Sequence, residues 1–420
     1  MNKKIIKMAV MPFMILAASS LMQSCIEEEF PTDYATGEQM QTAKNPGKIL
    51  LNGLNAKMVE QFSYNGAQVA YDWGYPSQML IRDILGGDEP VSNVTNDYLS
   101  WIADGTSLNA FSLYTYSYYY DLVSNANNMV EKFGSDDSDQ KAYAGAARAY
   151  RALAYLDMTR MFEYKTTGFS SLDAQAEKGK VAGLTVPIVT EKTTAKESKN
   201  NPRAPFYTMY RFILNDLKLA ESEMKGFERA NKTQPDESVV YGLEARLWLE
   251  MATRFEKNPE DLATQLAHEE DADGYAKLGV TTAEECYAKA AEYAQKAMAL
   301  DGYAPLSSDE WHNEKTGFNL ATGAWMWSAS MQDKDMLTYY WYSWLCWMGS
   351  EAPNLTWGGM GTYRCIDKSL YEKMPDADWR KTTWVDPSDV NATAVPSKYK
   401  SILKSDQWQD LPAYAGMKFR

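Results

Sequence analysis

The segment KAYAGAARAYRALAYLDMTRMF, residues 141–162, constrains the fold of this chain more than any other. A stripe of apolar residues recurs there every three or four positions, which is the period of an α-helix with one apolar face. The stripe consists of Tyr143, Ala147, Tyr150, Ala154, Met158 and Met161. Alanines occupy much of the remaining helix surface, and small side chains let neighbouring helices approach closely. We therefore predict that this helix lies between two others.

Five further segments have the same helical period. They predict helices over residues 46–62, 106–133, 205–225 and 237–255, and from Thr282 to a stop at Gly302. Thr282 and Glu285 have the spacing of a capping box at the start of the last helix. The residues expected to face inward in three of these helices are Tyr116, Tyr119, Val123, Ala126, Val130 and Phe133; Tyr210, Ile213, Leu217, Ala220 and Met224; and Cys286, Ala290, Tyr293, Ala297 and Leu300.

Successive helices with small residues at their crossings predict a mostly α fold. We expect a tetratricopeptide-like scaffold of stacked helical hairpins over residues 45–301, with loop excursions at 63–105 and 164–204. AEECYAKAAEYAQKAMALDGYAPL looks like the second half of one such repeat. After residue 302 the helical pattern is replaced by short strand-like pieces, turns and tryptophans. Residues 302–420 are therefore predicted to form an irregular, loop-rich lobe.

The N-terminal residues have the pattern of a bacterial export signal. Three lysines within the first seven residues precede an apolar stretch from Met8 to Leu21, and Ser24 stands directly before Cys25. This arrangement predicts a lipoprotein signal peptide over residues 1–24, lipidation of Cys25 and a tether over residues 25–44. Several acyl chains on one residue would anchor the protein to a membrane that it does not span. A plain secretory signal followed by an incidental cysteine is the alternative.

Composition and motifs narrow the class of protein. Against 42 Lys and Arg there are 56 Asp and Glu, a formal net charge of −14, which argues against nucleic acid and favours neutral or cationic partners. Cys286, Cys346 and Cys365 match no zinc spacing and are expected to be buried thiols. The sequence has two histidines far apart, His268 and His312, and none of the common nucleophile, phosphate-loop or zinc-protease motifs. We therefore predict no enzymatic activity, cofactor or metal.

The acidic run EEDADG, residues 269–274, imitates the start of a calcium loop. The twelfth position of such a loop would be Val280, where a bidentate Glu is required. We therefore interpret the run as a solvated acidic loop.

Several segments together resemble the SusD/RagB family of surface nutrient-binding lipoproteins. In family order they are AYAGAARAYRALAYLDMTRMFE, GLTVPIVT, YRFILNDLKLAESEM, YGLEARLWLEMA and YAKAAEYAQKAMAL, and Cys25 is followed by the acidic triplet Glu27, Glu28 and Glu29. The resemblance implies an outer-membrane, cell-surface location, and a SusC-type TonB-dependent transporter as partner. Members of the family usually continue past a YAGMKFR-like segment, so the resemblance also implies that the binding lobe continues beyond Arg420.

Aromatic residues outside the helical pattern are the candidate ligand contacts. In YYWYSWLCWMG, residues 339–349, the rings would point to all sides of a strand or a helix, so they cannot all face one core. Trp and Tyr rings suit sugars because a ring covers the C–H face of a pyranose while nearby polar groups bind its hydroxyls. The candidate ligand-binding residues are Trp101, Trp341 and Trp344, followed by Trp73 and Arg82.

These residues lead to a functional hypothesis. We predict capture of an oligosaccharide and its delivery to the transporter. The interpretation of Arg82 stays open, because its guanidinium suits sugar hydroxyls but equally an ion pair with Asp83 or Asp88. Capture of a peptide by the same scaffold is one alternative function, and a surface glycoside hydrolase with two carboxylates in a cleft is the other.

Overall fold

The structure is a computed structural model. It describes residues 43–60, 73–90, 110–135, 140–313, 315–316, 321, 323–330, 363–403, 408 and 411–417. The signal peptide, Cys25, Trp101, Trp341, Trp344 and Cys346 lie outside the described residues, so their assignments stay predictions. The chain divides into two compact units, Met1–Ile49 and Leu50–Arg420, and the first is described only from residue 43.

The part of the chain that the structure describes is mostly helical. Its α-helices are α1 Pro46–Lys57, α2 Tyr75–Gly86, α3 Ala110–Phe133, α4 Lys141–Phe162, α5 Ser170–Gly179, α6 Ala195–Ser198, α7 Phe206–Glu223, α8 Glu237–Lys257, α9 Pro259–Ala267, α10 Ala283–Asp301, α11 Ser308–Trp311 and α12 Lys368–Lys373. Short 3-10 helices follow at Trp379–Thr383, Pro387–Asp389 and Ser397–Tyr399. None of the described helices is long and apolar enough to cross a lipid bilayer.

The long helices form an array in which each packs against the next in sequence. α3 packs on α4, α4 on α7, α7 on α8, and α8 on α10. The prediction that α4 lies between two helices is confirmed, and the close approach depends on Gly145. A Cβ at that position would lie 2.5 Å from Met224 Cγ and 3.0 Å from Glu223 Cβ, distances that packed atoms do not tolerate.

Most of the residues predicted to face inward are buried. In α7 and its C-cap residue Met224 all five, from Tyr210 to Met224, are fully buried, and the capping box of Thr282 and Glu285 is present in α10. Two inward assignments were wrong. Tyr116 is 38% exposed, because the buried arc of α3 runs through Tyr114 and Tyr118 instead. Leu300 is 48% exposed in the last turn of α10.

The segments predicted as loop excursions contain regular structure. Helix α2 lies within residues 63–105 and α5 within 164–204, so a description of these segments as loops was incomplete. Proline in the first turn of α2, at Pro76, and Gly87 in the left-handed conformation at its end mark the bounds of that helix. The motif GLTVPIVT lies against helices α3 and α4. Tyr120 of α3 donates a hydrogen bond to the carbonyl of Pro187 at 2.6 Å, and Tyr155 of α4 donates one to the carbonyl of Val189 at 3.1 Å.

Residues after 363 build a second hydrophobic cluster, separate from the core of the helical array. It centres on Val385, Tyr399 and Ala415, each fully buried. Isolated antiparallel bridges join Cys365 to Ala415 and Trp384 to Gly416. This part of the chain is held by turns and single bridges, which is how an irregular lobe can still fix the positions of its side chains.

Candidate functional site

A turn of the C-terminal lobe presents two tryptophans. In PDADWRKTTW, residues 375–384, the Asp378 carboxylate accepts a hydrogen bond from the backbone N–H of Arg380 at 3.0 Å and so caps the 3-10 helix Trp379–Thr383. Trp384 follows the helix and packs against backbone, since a Cβ at Gly416 would come within 3.1 Å of Trp384 Cζ3. The turn thereby fixes the backbone at Trp379 and packs the Trp384 ring against the backbone of Gly416.

A third tryptophan comes from the short helix α11. Ser307 and Glu310 form a capping box there, and the ring of Trp311 lies 5.6 Å from that of Trp379 at an interplanar angle of 60°. The three rings border a cavity of about 700 Å³, which we call the tryptophan cleft. Its other lining residues are Pro305, Leu306, Ala324, Ile366, Leu370, Lys373, Met374, Pro375, Asp378, Arg380 and Thr383.

The tryptophan cleft combines flat apolar surfaces with a polar rim. All three indoles are partly exposed, whereas Lys373 and Arg380 are exposed at its edge. Such an arrangement suits a sugar, because a ring stacks on C–H bonds while charged and polar groups bind hydroxyls. The volume lies within the range of about 300 to 1,000 Å³ that is usual for small-ligand sites.

The carboxylate in the tryptophan cleft is held in its charged form by a neighbouring arginine. Asp378 is the single carboxylate among its described lining residues. The side chain and backbone N–H of Arg380 bind this carboxylate and lower its pKa to about 2, so it is ionised at any physiological pH.

Trp73 does not belong to an exposed site. The prediction placed it on a loop surface, but the residue is 0% exposed. Its backbone N–H donates to Ser77 Oγ at 3.0 Å at the start of α2. A fully buried indole cannot stack on a ligand, so we reassign Trp73 to the core.

Arg82 has a partner that the sequence did not suggest. Its guanidinium pairs with Asp157 at 2.7 Å and not with Asp83 or Asp88. Asp157 lies on α4 and is completely buried. It also accepts a hydrogen bond from the Tyr119 hydroxyl at 3.0 Å and forms an ion pair with Arg246 at 3.2 Å. Burial disfavours the charge on Arg82, but Asp157 more than offsets this and raises the pKa of the guanidinium.

The acidic run and His268 make contacts with neighbouring side chains. Asp273 binds the buried guanidinium of Arg211 through two hydrogen bonds of 2.9 and 2.6 Å. His268 stacks on Tyr207 at 3.9 Å and pairs with Asp271 at 2.9 Å. Among the described residues no group of three or more potential metal ligands occurs.

The tryptophan cleft itself was missed by sequence reasoning. Trp311, Trp379 and Trp384 stand apart in sequence, and the dense run at 339–349 drew the prediction instead. The sequence does contain one local indication of these two rings. Asp378, a residue type that caps helical turns, directly precedes Trp379, and Trp384 follows five residues later. Trp101, Trp341 and Trp344 lie outside the described residues and stay predictions.

Comparison with known proteins gives the fold. No protein-family model matches the chain, and no curated protein matches it. The chain is similar to the structure of a SusD-like carbohydrate binding protein from Bacteroides vulgatus, with 18% sequence identity and a TM-score of 0.57 over 80% of this chain. A SusD superfamily protein from Parabacteroides distasonis is also similar, with 15% identity and a TM-score of 0.49 over 90% of this chain and 69% of that one.

The likeness to the Bacteroides vulgatus protein shows a common fold. The predicted tetratricopeptide-like scaffold and the resemblance to SusD-like proteins are thus confirmed at the level of architecture. The chain spans 60% of the length of that protein.

Proposed function

We propose that this protein is a glycan-binding lipoprotein of the cell surface, which captures an oligosaccharide and delivers it to a SusC-type TonB-dependent transporter. The observation that carries the proposal is the tryptophan cleft, in which three partly exposed indoles surround about 700 Å³ on a SusD-like scaffold. That the similar protein from Bacteroides vulgatus is described as carbohydrate binding supports the proposal.

Weak binding is sufficient for a protein that hands its ligand on. A dissociation constant of about 1 mM to 1 μM corresponds to roughly 4 to 8 kcal/mol. One central aromatic ring contributes about 1 to 2 kcal/mol to such a site, which is roughly tenfold in affinity. In this proposal the sugar contacts the tilted rings of Trp311 and Trp379, whose centroids lie 5.6 Å apart.

Surface anchoring completes the proposed role. Lipid on Cys25 would hold the protein at the outer membrane, and the acidic triplet that follows it is the feature supporting an outward-facing position. The resemblance to SusD/RagB proteins supports the transporter as the partner. Extraction of membranes in mild detergent tests this partnership, because the lipoprotein and the transporter should be recovered together. Recovery of the lipoprotein without any transporter across several detergents would contradict this partnership.

Calorimetry tests capture in the cleft. The parent protein, Trp379→Ala and Trp311→Ala are titrated with neutral oligosaccharides and with peptides. Phe169→Ala is the matched control, because this ring is 69% exposed and lies outside the cleft. We expect the two tryptophan variants to lose about tenfold in sugar affinity with unchanged melting temperature.

Three outcomes would contradict the proposal. Equal sugar affinity of parent and tryptophan variants would show that the cleft is not the site. Selective binding of peptides would favour the peptide-capturing alternative, and release of shortened sugars would favour a hydrolase.

A further inference from the structure

A second cavity adjoins the tryptophan cleft. It has a volume of about 520 Å³ and lies between α8 and residues 324–329, with Tyr75, Met79 and Arg246 among its lining residues. Ala324 lines both cavities, so the two share a wall. The two cavities are therefore direct neighbours in the fold.

The wall formed by residues 324–329 is fixed to the helical array. Lys232 Nζ donates to the carbonyl of Trp325 at 2.7 Å, and Ser328 N–H donates to the carbonyl of Lys232 at 2.8 Å. Trp327 Nε1 donates to the carbonyl of Thr233 at 3.0 Å, while its ring packs on that of Tyr150 at 4.8 Å. A wall held at several points needs little ordering when a ligand binds.

An excess positive charge faces this second cavity. Arg82 and Arg246 both pair with the same oxygen of Asp157, at 2.7 and 3.2 Å, so two cations share one buried anion. Asp157 is the single carboxylate in ion-pair distance of Arg246 among the described residues. Glu250, one turn further along α8, pairs instead with Arg160 and Lys165 at 3.3 and 3.4 Å.

The two arginines have different roles. Arg82 is the closer partner of Asp157, and its side chain is 22% exposed. Arg246 is 41% exposed, and Nη2 is the atom through which it contacts Asp157. Since Arg82 already balances the charge of Asp157, the charge of Arg246 is not neutralised by any carboxylate among the described residues. The nearby tyrosines add no negative charge, because burial raises the pKa of Tyr75 and Tyr119.

We propose that the second cavity is a subsite for the carboxylate of an acidic sugar, which Arg246 binds while the adjoining tryptophan cleft holds the neighbouring sugar units. This proposal rests on the proposed glycan-binding function and names its substrate class as uronate-containing glycans. A guanidinium binds a carboxylate through two parallel hydrogen bonds, and the aromatic and Met side chains around it accommodate the sugar ring. The volume is sufficient for a small ligand.

The overall charge does not oppose this assignment. The net charge of −14 repels an anion at long range. Salt screens that repulsion beyond about 8 Å under physiological conditions, whereas a contact with Arg246 in a partly buried cavity is screened much less. The local charge therefore decides the specificity once the ligand is in contact.

Matched pairs of sugars test the subsite. Oligomers of galacturonate, mannuronate and glucuronate are each compared with their methyl esters, which keep the backbone and remove the charge. We expect the parent to bind at least one free acid about tenfold more tightly than its ester, and Arg246→Gln to lose that preference. Arg246→Lys should retain part of it.

Arg160→Gln is the matched control. It makes the same change in charge at a residue 51% exposed that does not line the second cavity, so the preference for the acid should persist. The melting temperatures of Arg246→Gln and Arg160→Gln are measured as well. Values equal to that of the parent show that a lost preference for the acid is not caused by unfolding.

The remaining outcomes distinguish this inference from the proposed function. Equal affinity of the parent for acid and ester, or an acid preference that survives in Arg246→Gln, would overturn the subsite and leave sugar capture intact. Failure of the parent to bind any sugar, neutral or acidic, would overturn both.

Discussion

Replacing Gly145 with alanine tests the helical array at its closest contact. The new methyl group would lie 2.5 Å from Met224 Cγ, 3.0 Å from Glu223 Cβ and 3.3 Å from the Ala220 carbonyl oxygen. Neither of the two contacting side chains can move easily. Met224 is fully buried, and Glu223 is held by Arg148 at 3.0 Å.

The expected magnitude is a balance of two effects. Overpacking a well-packed contact costs about 1 to 3 kcal/mol. Removal of a glycine from a helix interior contributes about 0.8 to 1 kcal/mol in the opposite direction. Because 2.5 Å is far below a normal contact, we place the overpacking in the upper part of its range and expect a net loss of about 1 to 2 kcal/mol.

Urea denaturation of Gly145→Ala and Gly53→Ala measures this difference. Gly53 is also inside a helix, but a Cβ there meets nothing within 4 Å, so its replacement should stabilise the protein by up to about 1 kcal/mol. The two variants should therefore shift the unfolding midpoint in opposite directions. A Gly145→Ala variant as stable as Gly53→Ala would refute the close packing of α4 on α7.

Three further predictions concern charge and anchoring. Asp216→Asn should destabilise the protein by about 1.5 to 3 kcal/mol in urea denaturation, because it weakens the bonds of 2.7 and 2.8 Å to the buried Arg151, which keeps Glu191 at 2.7 Å as its second carboxylate; a loss below about 1 kcal/mol would contradict this. Burial and the Glu89 carboxylate raise the pKa of Asp83 from 3.8 to about 6. Between these two pH values the native state keeps a proton that the unfolded chain has lost. The free energy of unfolding should therefore fall as the pH rises from 3.8 to about 6. Asp83→Asn should flatten that fall in a series of melting temperatures, and an unchanged pH profile would contradict the assignment. Cys25→Ala should abolish labelling by fatty acid, and persistent labelling would contradict lipidation of Cys25.

The scaffold was predictable because its determinants are local. The spacing of Tyr210, Ile213 and Leu217 in α7 follows the helical period, and the capping residues of α10 stand at their expected positions. Tyr116 was misassigned because a wide aromatic face in α3 gives two possible inward arcs, and packing chose the one through Tyr114.

The site was less predictable because its contacts are long-range. Arg82 binds Asp157, a residue of another helix, whereas the sequence offered acids close by in the chain. Trp311 of α11 and Trp379 of a 3-10 helix are distant in sequence and come together only when the chain folds. Their pairing therefore leaves no periodic pattern in the sequence. Density of aromatic residues in sequence is thus a poor guide to where rings converge in space.

A crystal structure of the protein with a bound oligosaccharide tests the central claim most directly. The ligand is taken from the sugars that bind in calorimetry. We predict an intact sugar chain with a pyranose face stacked on Trp379 or Trp311 in the tryptophan cleft, at the usual contact distance of about 4 Å. A sugar bound elsewhere on the protein, with the tryptophan cleft filled only by water, would contradict the claim.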